Sequence, residues 1–261
     1  MTDKNKFAFA GGDGRAKYAA LYLSSRGFEI ARDVCDAACV VFPLSQRTGI
    51  IKAAEGETTV EDVVKKAPPD AVFFGGPAIR RLVGEAGEGR VYDVTENEKF
   101  AMKNAALTAE GAIGIAVGKT PFSIDGMRAA VLGFGRIGRA LAEKLCALGA
   151  CVTVCARRRE SVAEASALCR ATLFCDFDPS GADCIFNTVP ARALGEDQLR
   201  LIGDDTYIVE LASPPGGFDE AFRARHGERF TDAQGLPGKT APASAGAAMA
   251  EAVLDILKEK K

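Results

Sequence analysis

The sequence has no tryptophan and only one histidine, His226, in 261 residues. A single histidine excludes nearly all mixed cysteine–histidine zinc sites. It also leaves little room for catalysis by a histidine paired with a carboxylate. His226 lies in "ARHGERF", a charged stretch that reads as a surface loop. No run of about 18 apolar residues exists, so no membrane-spanning helix is expected. The first residues, "MTDKNKFAFAGGDGR", turn glycine-rich almost at once and lack the apolar core of a signal peptide. Neither sign of charge dominates: 33 Lys and Arg stand against 35 Asp and Glu, a formal net charge of −2. That balance argues against a general nucleic-acid binder, and together these absences point to a cytoplasmic globular protein.

Cysteine is plentiful, with eight residues, yet no C-x-x-C occurs. Cys35 and Cys39, and Cys151 and Cys155, are spaced C-x3-C. Cys151, Cys155 and Cys184 fall inside apolar strand-like runs, where a thiol behaves as a small buried hydrophobe. Neither a metal site nor a disulfide is expected.

The rest of the chain alternates strand and helix. "KFAFAGG" (6–12) reads as a strand entering a glycine turn. The next stretch, "AKYAALYLSSRG", is a helix with Tyr18, Leu21 and Tyr22 at helical spacing, stopped at Gly27. "ACVVFPLS" and "DAVFFGG" are short apolar runs bounded by Pro, Gly and Ser, as buried parallel strands are. Between them "TTVEDVVKKAPP" predicts a helix opening at Thr58 or Thr59. Residues 95–118 form a longer Ala- and Gly-rich helical segment, and "KTPFSIDG" (119–126) has the turn chemistry of a connection. From Met127 the β-α alternation restarts, with strand-like runs "RAAVLGF", "ACVTVCA", "DCIFNTVP" and "TYIVELAS" separated by helical stretches, a Rossmann rhythm. A final helix from Ala243 to about Lys258 carries Ala245, Met249, Ala252, Val253 and Ile256 on one stripe. The expected fold class is α/β, with two Rossmann-like parallel-sheet domains. The first would be 1–120 with a returning helix 241–261, and the second 121–240.

"VLGFGRIGRALAEKL" places Gly133, Gly135 and Gly138 in G-x-G-x-x-G spacing after an apolar strand. Ile137, Leu141, Leu145 and Leu148 then mark one face of the helix it opens. Gly133 suits a tight turn, Gly135 a close approach to pyrophosphate, and Gly138 close helix–strand packing. The phosphates would lie at the helix N-terminus, beside Arg136 and Ile137. At the end of the second strand, where an acidic residue would grip the ribose of NAD, stand Arg157, Arg158 and Arg159. Guanidinium groups suit a 2′-phosphate, which favours NADP over NAD.

Two further strand ends belong to the same expected site. "IFNTVPA" brings Asn187, Thr188 and Val189 near the nicotinamide ribose, with Asn187 and Thr188 as hydrogen-bonding groups. "VELASPPGG" brings Leu211, Ala212, Ser213, Gly216 and Gly217 to the carboxyl edge of the sheet, where open α/β folds bind ligands. "GLPGKTAP" places Lys239 and Thr240 before a helix whose first turn holds Pro242.

"GGDGR", "TAEGAIGIAV", "VLGFGRIG", "CARRR", "NTVPA", "ELASPPGG" and "GLPGKTAPASAG", in this order, resemble the dipicolinate synthase A-subunit family over nearly the whole chain. The N-terminal half is shorter than in that family. "MKNAALTAEGA" stands where the family has an asparagine-to-proline pattern. The resemblance implies a 2-hydroxyacid-dehydrogenase-like architecture with NADP as cofactor. It implies oxidation of a dihydrodipicolinate-type heterocycle, derived from the lysine pathway, to pyridine-2,6-dicarboxylate. It further implies partnership with the flavoprotein-like B-subunit of dipicolinate synthase, the mother cell of a spore-former as location, and a homo-oligomer. A dicarboxylate needs cationic or N–H-rich clamps, so Arg15, Lys239, the Ser213 hydroxyl and the Gly216 and Gly217 backbone are the candidate clamps, and Asp13, a turn residue first, and Thr108 are further substrate-side candidates. Glu110 and Ser213 are the candidate catalytic groups. Two other readings stay open: a 2-hydroxyacid-dehydrogenase-like oxidoreductase, and a non-catalytic NADP-binding regulatory protein.

Overall fold

The computed structural model describes residues 5–53 and 56–259. The expected limits of the first domain at residue 1 and of the returning helix at 261 lie outside them. So does the start of the segment read for a signal peptide. The chain divides into two compact units, residues 1–104 with 237–261, and residues 105–236.

The first unit contains β1 (Lys6–Phe9), α1 (Gly14–Ser25), β2 (Glu29–Ile30), β3 (Cys39–Val41), β4 (Ile50–Ala53) and β5 (Gly56–Thr59). It continues with α2 (Val60–Lys66), β6 (Val72–Gly75), α3 (Ile79–Val83) and β7 (Val91–Asp93). Five of these strands form a parallel sheet in the order β2-β1-β3-β6-β7. β4 and β5 pair antiparallel as a separate ribbon, which the apolar pattern had not marked. Local signals explain the helix starts. Asp13 caps α1 by accepting from Arg15 N, and Thr59 caps α2 by accepting from Asp62 N. The buried face of α1 is Arg15, Ala19 and Leu23, whereas Leu21 is 56% exposed.

Helix α4 (Glu98–Lys119) leads the chain from the first unit into the second. There β8 (Arg128–Leu132), α5 (Arg136–Ala147), β9 (Cys151–Ala156), α6 (Arg159–Ser166), β10 (Arg170–Leu173) and β11 (Cys184–Asn187) follow. They are succeeded by α7 (Glu196–Leu201), β12 (Tyr207–Glu210), α8 (Glu220–His226) and β13 (Phe230–Asp232). The six strands are all parallel, in the order β10-β9-β8-β11-β12-β13. Numbered from β8, that is the 3-2-1-4-5-6 order of dinucleotide-binding sheets, with its switch point between β8 and β11. The expected α/β class with parallel sheets is therefore what forms, with two short strands, β10 and β13, beyond the rhythm read from the sequence. On α5, Leu141 and Leu145 enter the core while Leu148 ends the helix facing solvent.

After the five-residue α9 (Leu236–Thr240), α10 (Pro242–Glu259) returns to the first unit and packs along α1. Its stripe of Ala245, Met249, Ala252, Val253 and Ile256 is buried as expected. Burying each of the three large apolar side chains stabilises by about 1.5–3 kcal/mol, an upper bound given a compact unfolded chain. Pro242 occupies the first helical position, where a missing N–H costs nothing.

His226 does not lie on the surface. It is the last residue of α8, 4% exposed, with its ring 4.3 Å from that of Phe222 one turn earlier. Among the described residues neither ring nitrogen has a hydrogen-bond partner, and burial holds its pKa below the ordinary imidazole value. Cys155 and Cys184 are buried as expected, whereas Cys151, at the first position of β9, is exposed. Among the described residues no helix is long and apolar enough to cross a membrane, and no cluster suited to a metal occurs.

Candidate cofactor-binding site

The glycine turn between β8 and α5 has the geometry its spacing predicts. Gly133 sits at φ 99°, a left-handed conformation that side chains resist, and a Cβ there would collide with Thr188 Oγ. A Cβ on Gly138 would collide with the Gly133 carbonyl, so α5 can start this close to β8 only with glycine at that position. Around Gly135, by contrast, the space is open. Gly135 caps α5 with no side-chain hydrogen bond, so the first N–H groups of the helix, at Arg136, Ile137 and Gly138, stand at an end that carries partial positive charge. Arg136 is exposed and Ile137 half-buried. Turn, opening and uncapped N-terminus fit a pyrophosphate.

The next strand delivers the arginines. Gly133 N donates to Cys155 O, so the end of β9 lies beside the glycine turn. Arg157 follows β9 directly, and Arg158 is the N-cap of α6 without any side-chain cap bond. Both are exposed. Several other arginines of this unit are paired, Arg128 with Asp183 at 2.5 Å, Arg139 with Glu164 and Arg223 with Asp232 at 2.6 Å. Among the described residues none forms an ion pair with Arg157 or Arg158. Two unneutralised guanidinium groups at this strand end suit a dianion.

Asn187 and Thr188 are placed at the carboxyl end of β11, as expected, but not for the task expected of Asn187. Asn187 is fully buried, and its amide donates to Val189 O at 2.9 Å and to Glu210 Oε1 at 2.7 Å. Its Oδ1 accepts from Val189 N at 3.1 Å. It shapes the turn instead of reaching a ligand. Thr188 Oγ donates to Leu132 O at 2.8 Å, so only its acceptor capacity remains for a ligand. Val189 is half-buried beside Gly133.

Leu211 and Ala212 are buried as β12 ends, with Leu211 N donating to Asn187 O. Ser213 is exposed, and its carbonyl accepts from Gly216 N. The Pro214–Pro215 bond is cis. Beneath this loop lies Glu210, a group the sequence reading overlooked. It is fully buried and accepts from Asn187 Nδ2, from Ala212 N at 3.0 Å and from Gly217 N at 2.9 Å. Burial raises its pKa, and the three donors and nearby Arg223 oppose that rise.

Glu110 is not drawn into this group. It sits on the exposed side of α4 and accepts from Lys144 Nζ of α5 at 3.1 Å. Thr108, half a turn earlier, is buried. A cavity of about 640 Å³ in this unit is lined by Arg128, Cys151, Arg170 and Ala182, at the amino ends of the strands. It lies at the opposite edge of the sheet from the glycine turn.

In the first unit the remaining candidates divide. Asp13 and Arg15 form one group: Arg15 is 6% exposed, and its Nε donates to Asp13 Oδ2 at 2.7 Å. Gly238 of α9 packs directly on the pair, where a Cβ would come within 2.6 Å of Asp13 Oδ2. "GGDGR" and "GLPGK" thus form one packed corner. Arg15 is therefore committed in large part to Asp13. Lys239, next to Gly238 in sequence, is exposed.

Residues 117–213 match the D-isomer specific 2-hydroxyacid dehydrogenase NAD-binding domain. The dipicolinate synthase A-subunit of Bacillus subtilis (strain 168) is 30% identical over 230 residues, covering 84% of this chain and 77% of that protein. The crystal structure of the dipicolinate synthase A-subunit from Bacillus halodurans aligns with a TM-score of 0.85 at 25% identity, over 98% of this chain and 99% of that one. Its Bacillus subtilis counterpart aligns with a TM-score of 0.83 at 26% identity, over 99% and 97%.

Proposed function

The chain belongs to the dipicolinate synthase A-subunit family, and we propose that it oxidises a dihydrodipicolinate-type ring to pyridine-2,6-dicarboxylate with NADP. A nicotinamide-binding fold is shared with the 2-hydroxyacid dehydrogenases. The preference for the phosphorylated cofactor belongs to the proposal, and the observation that carries it is the unpaired Arg157 and Arg158 at the end of β9, beside the Gly133 turn.

NADP, when bound, supplies the hydride acceptor. The chain then has to hold the ring and let one proton leave, because aromatisation itself drives the oxidation. This is chiefly positioning. The α5 N-terminus would hold pyrophosphate, and Arg157 with Arg158 the 2′-phosphate. Thr188, the Val189 backbone, Leu211 and Ala212 would border the nicotinamide ribose. In the second unit Ser213, Gly216 and Gly217 remain the candidate contacts for the dicarboxylate, with Thr108 supporting; in the first unit Lys239, Asp13 and Arg15 remain candidates by themselves. Glu110, tied to Lys144 on an exposed helix face, is a poor candidate for the proton acceptor; Ser213 remains the catalytic candidate as a hydroxyl that orients the ring by hydrogen bonding, with the proton released to water.

A 2-hydroxyacid dehydrogenase of the usual kind would need a histidine beside a carboxylate. His226 is buried against Phe222 and has no hydrogen-bond partner among the described residues, which disfavours that reading. The flavoprotein-like B-subunit, self-association and a place in the sporulating mother cell are parts of the same proposal, from family membership. The test is NADPH formation from dihydrodipicolinate, with and without the B-subunit. Turnover with NADP+ supports the proposal. No turnover in either case, with NADP+ still bound, would favour a regulatory role.

A further inference from the structure

We propose that Glu210 is a positioning residue that locks the 187–189 turn and the 211–217 loop into one rigid piece. β11 and β12 are neighbours in parallel register, with Asn187 opposite Glu210. Each ends at that residue, so two ligand-facing segments leave the sheet side by side. Nothing in strand pairing alone fixes how they run beyond it. The carboxylate of Glu210 does so.

Its Oε1 accepts from Asn187 Nδ2 at 2.7 Å and Ala212 N at 3.0 Å, and Oε2 accepts from Gly217 N at 2.9 Å. One side chain therefore clasps the loop at both ends, residues 212 and 217. Through Asn187 the clasp extends to both backbone polar groups of Val189. The approach is close enough to demand glycine. A Cβ on Gly217 would lie 2.5 Å from Asn187 Nδ2, and one on Gly216 would lie 2.9 Å from Glu210 Oε2. Arg223 secures the outside of the loop, donating to Phe218 O at 3.0 Å and Pro215 O at 3.4 Å while paired with Asp232.

A carboxylate is required in this place because it offers only acceptors, and all three groups aimed at it are donors. A glutamine would turn an N–H toward one of them. Hydrogen bonds to a charged group are stronger than those between neutral groups, and a buried donor left unmatched keeps the full cost of its desolvation. Glu210 is assigned no contact with a ligand. It acts through Asn187 and the loop.

The consequence for the cofactor rests on the NADP reading above; the rigidity of the two segments does not. The test therefore uses two readouts on the full chain, with Glu210→Gln, Asn187→Ala and the double variant. Peptide-resolved hydrogen exchange, without any ligand, should show residues 187–190 and 211–218 exchanging about tenfold faster in each single variant. NADP+ affinity should weaken about tenfold in each, and the double variant should lose no more than either alone, because one clasp is being broken. Unchanged exchange in Glu210→Gln would overturn the proposal. So would additive losses, which mean two independent structural roles. If the native chain binds no NADP+, the cofactor reading fails while hydrogen exchange still decides on Glu210. Glu210→Asp, which keeps the acceptors on a shorter arm, guards against misfolding: partial rescue supports the clasp, and exchange identical to Glu210→Gln counts against it.

Discussion

The amide of Asn187 donates to the carboxylate of Glu210 at 2.7 Å, across the paired ends of β11 and β12 and out of contact with solvent. Two polar side chains inside a parallel sheet are costly unless their donors and acceptors match. Here the match also determines where two loops run. The glycine beside the pair tests this packing. Gly217→Ala would push a methyl group against Asn187 Nδ2 and should destabilise the protein by about 1–3 kcal/mol. A urea midpoint equal to that of the native chain would count against the packing described.

The glycine turn makes a stricter demand. Gly133→Ala would put a Cβ at φ 99° against Thr188 Oγ. Strain of this kind costs about 1–3 kcal/mol, and the displaced turn would no longer match a pyrophosphate. NADP+ binding measured by calorimetry should be lost while far-ultraviolet circular dichroism keeps its native shape. Native affinity in this variant would remove the turn from the cofactor site.

His226 should make stability depend on pH. Its folded pKa lies below the ordinary value of 6.5, first through burial and then through Arg225. The unfolded chain therefore takes up the proton near pH 6.5, and the folded chain only at lower pH. Stability due to the neutral ring is complete above about 6.5 and declines as pH falls. Melting curves between about pH 5 and 7.5 should show this decline. His226→Phe, which keeps the stack on Phe222, should flatten it. An identical decline in the variant would assign it to other groups.

Glu110→Gln should be nearly silent. The Glu110–Lys144 pair is half-exposed, with side-chain exposures of 55% and 36%. Pairs of this kind contribute about 0–1 kcal/mol. Turnover and melting temperature should both stay close to native. A loss of about a hundredfold in kcat at unchanged stability would restore Glu110 as an acid–base group.

Much of the cofactor side was legible because its signals are local. Glycine at 133 and 138 answers to a turn and a close approach a few residues wide, and the arginines follow directly on β9. α10 was legible from one apolar stripe. Glu210 was hidden because its meaning is not local. A carboxylate at a strand end reads as solvent-facing, and only the neighbouring strand and the returning loop supply its three donors. Asn187 was misjudged for the same reason, its amide being spent on partners 2 and 23 residues away. The misplacement of His226 was avoidable. Charged neighbours suggested a surface, yet Phe222 stands four residues earlier on the same helix face, the spacing at which side chains meet. β10 and β13 have four and three residues, too short for a periodicity to emerge.

The central claim is that Arg157 and Arg158 receive the 2′-phosphate of NADP. Its most direct measurement is calorimetric titration of the purified chain with NADP+ and NAD+, before and after Arg157→Ala. The account predicts tighter binding of NADP+ than of NAD+. It predicts that the substitution weakens NADP+ by about 10- to 100-fold, the loss of one charged hydrogen-bonding group, and leaves NAD+ nearly unchanged. Equal affinity for the two cofactors, or NADP+ binding indifferent to Arg157→Ala, would contradict it.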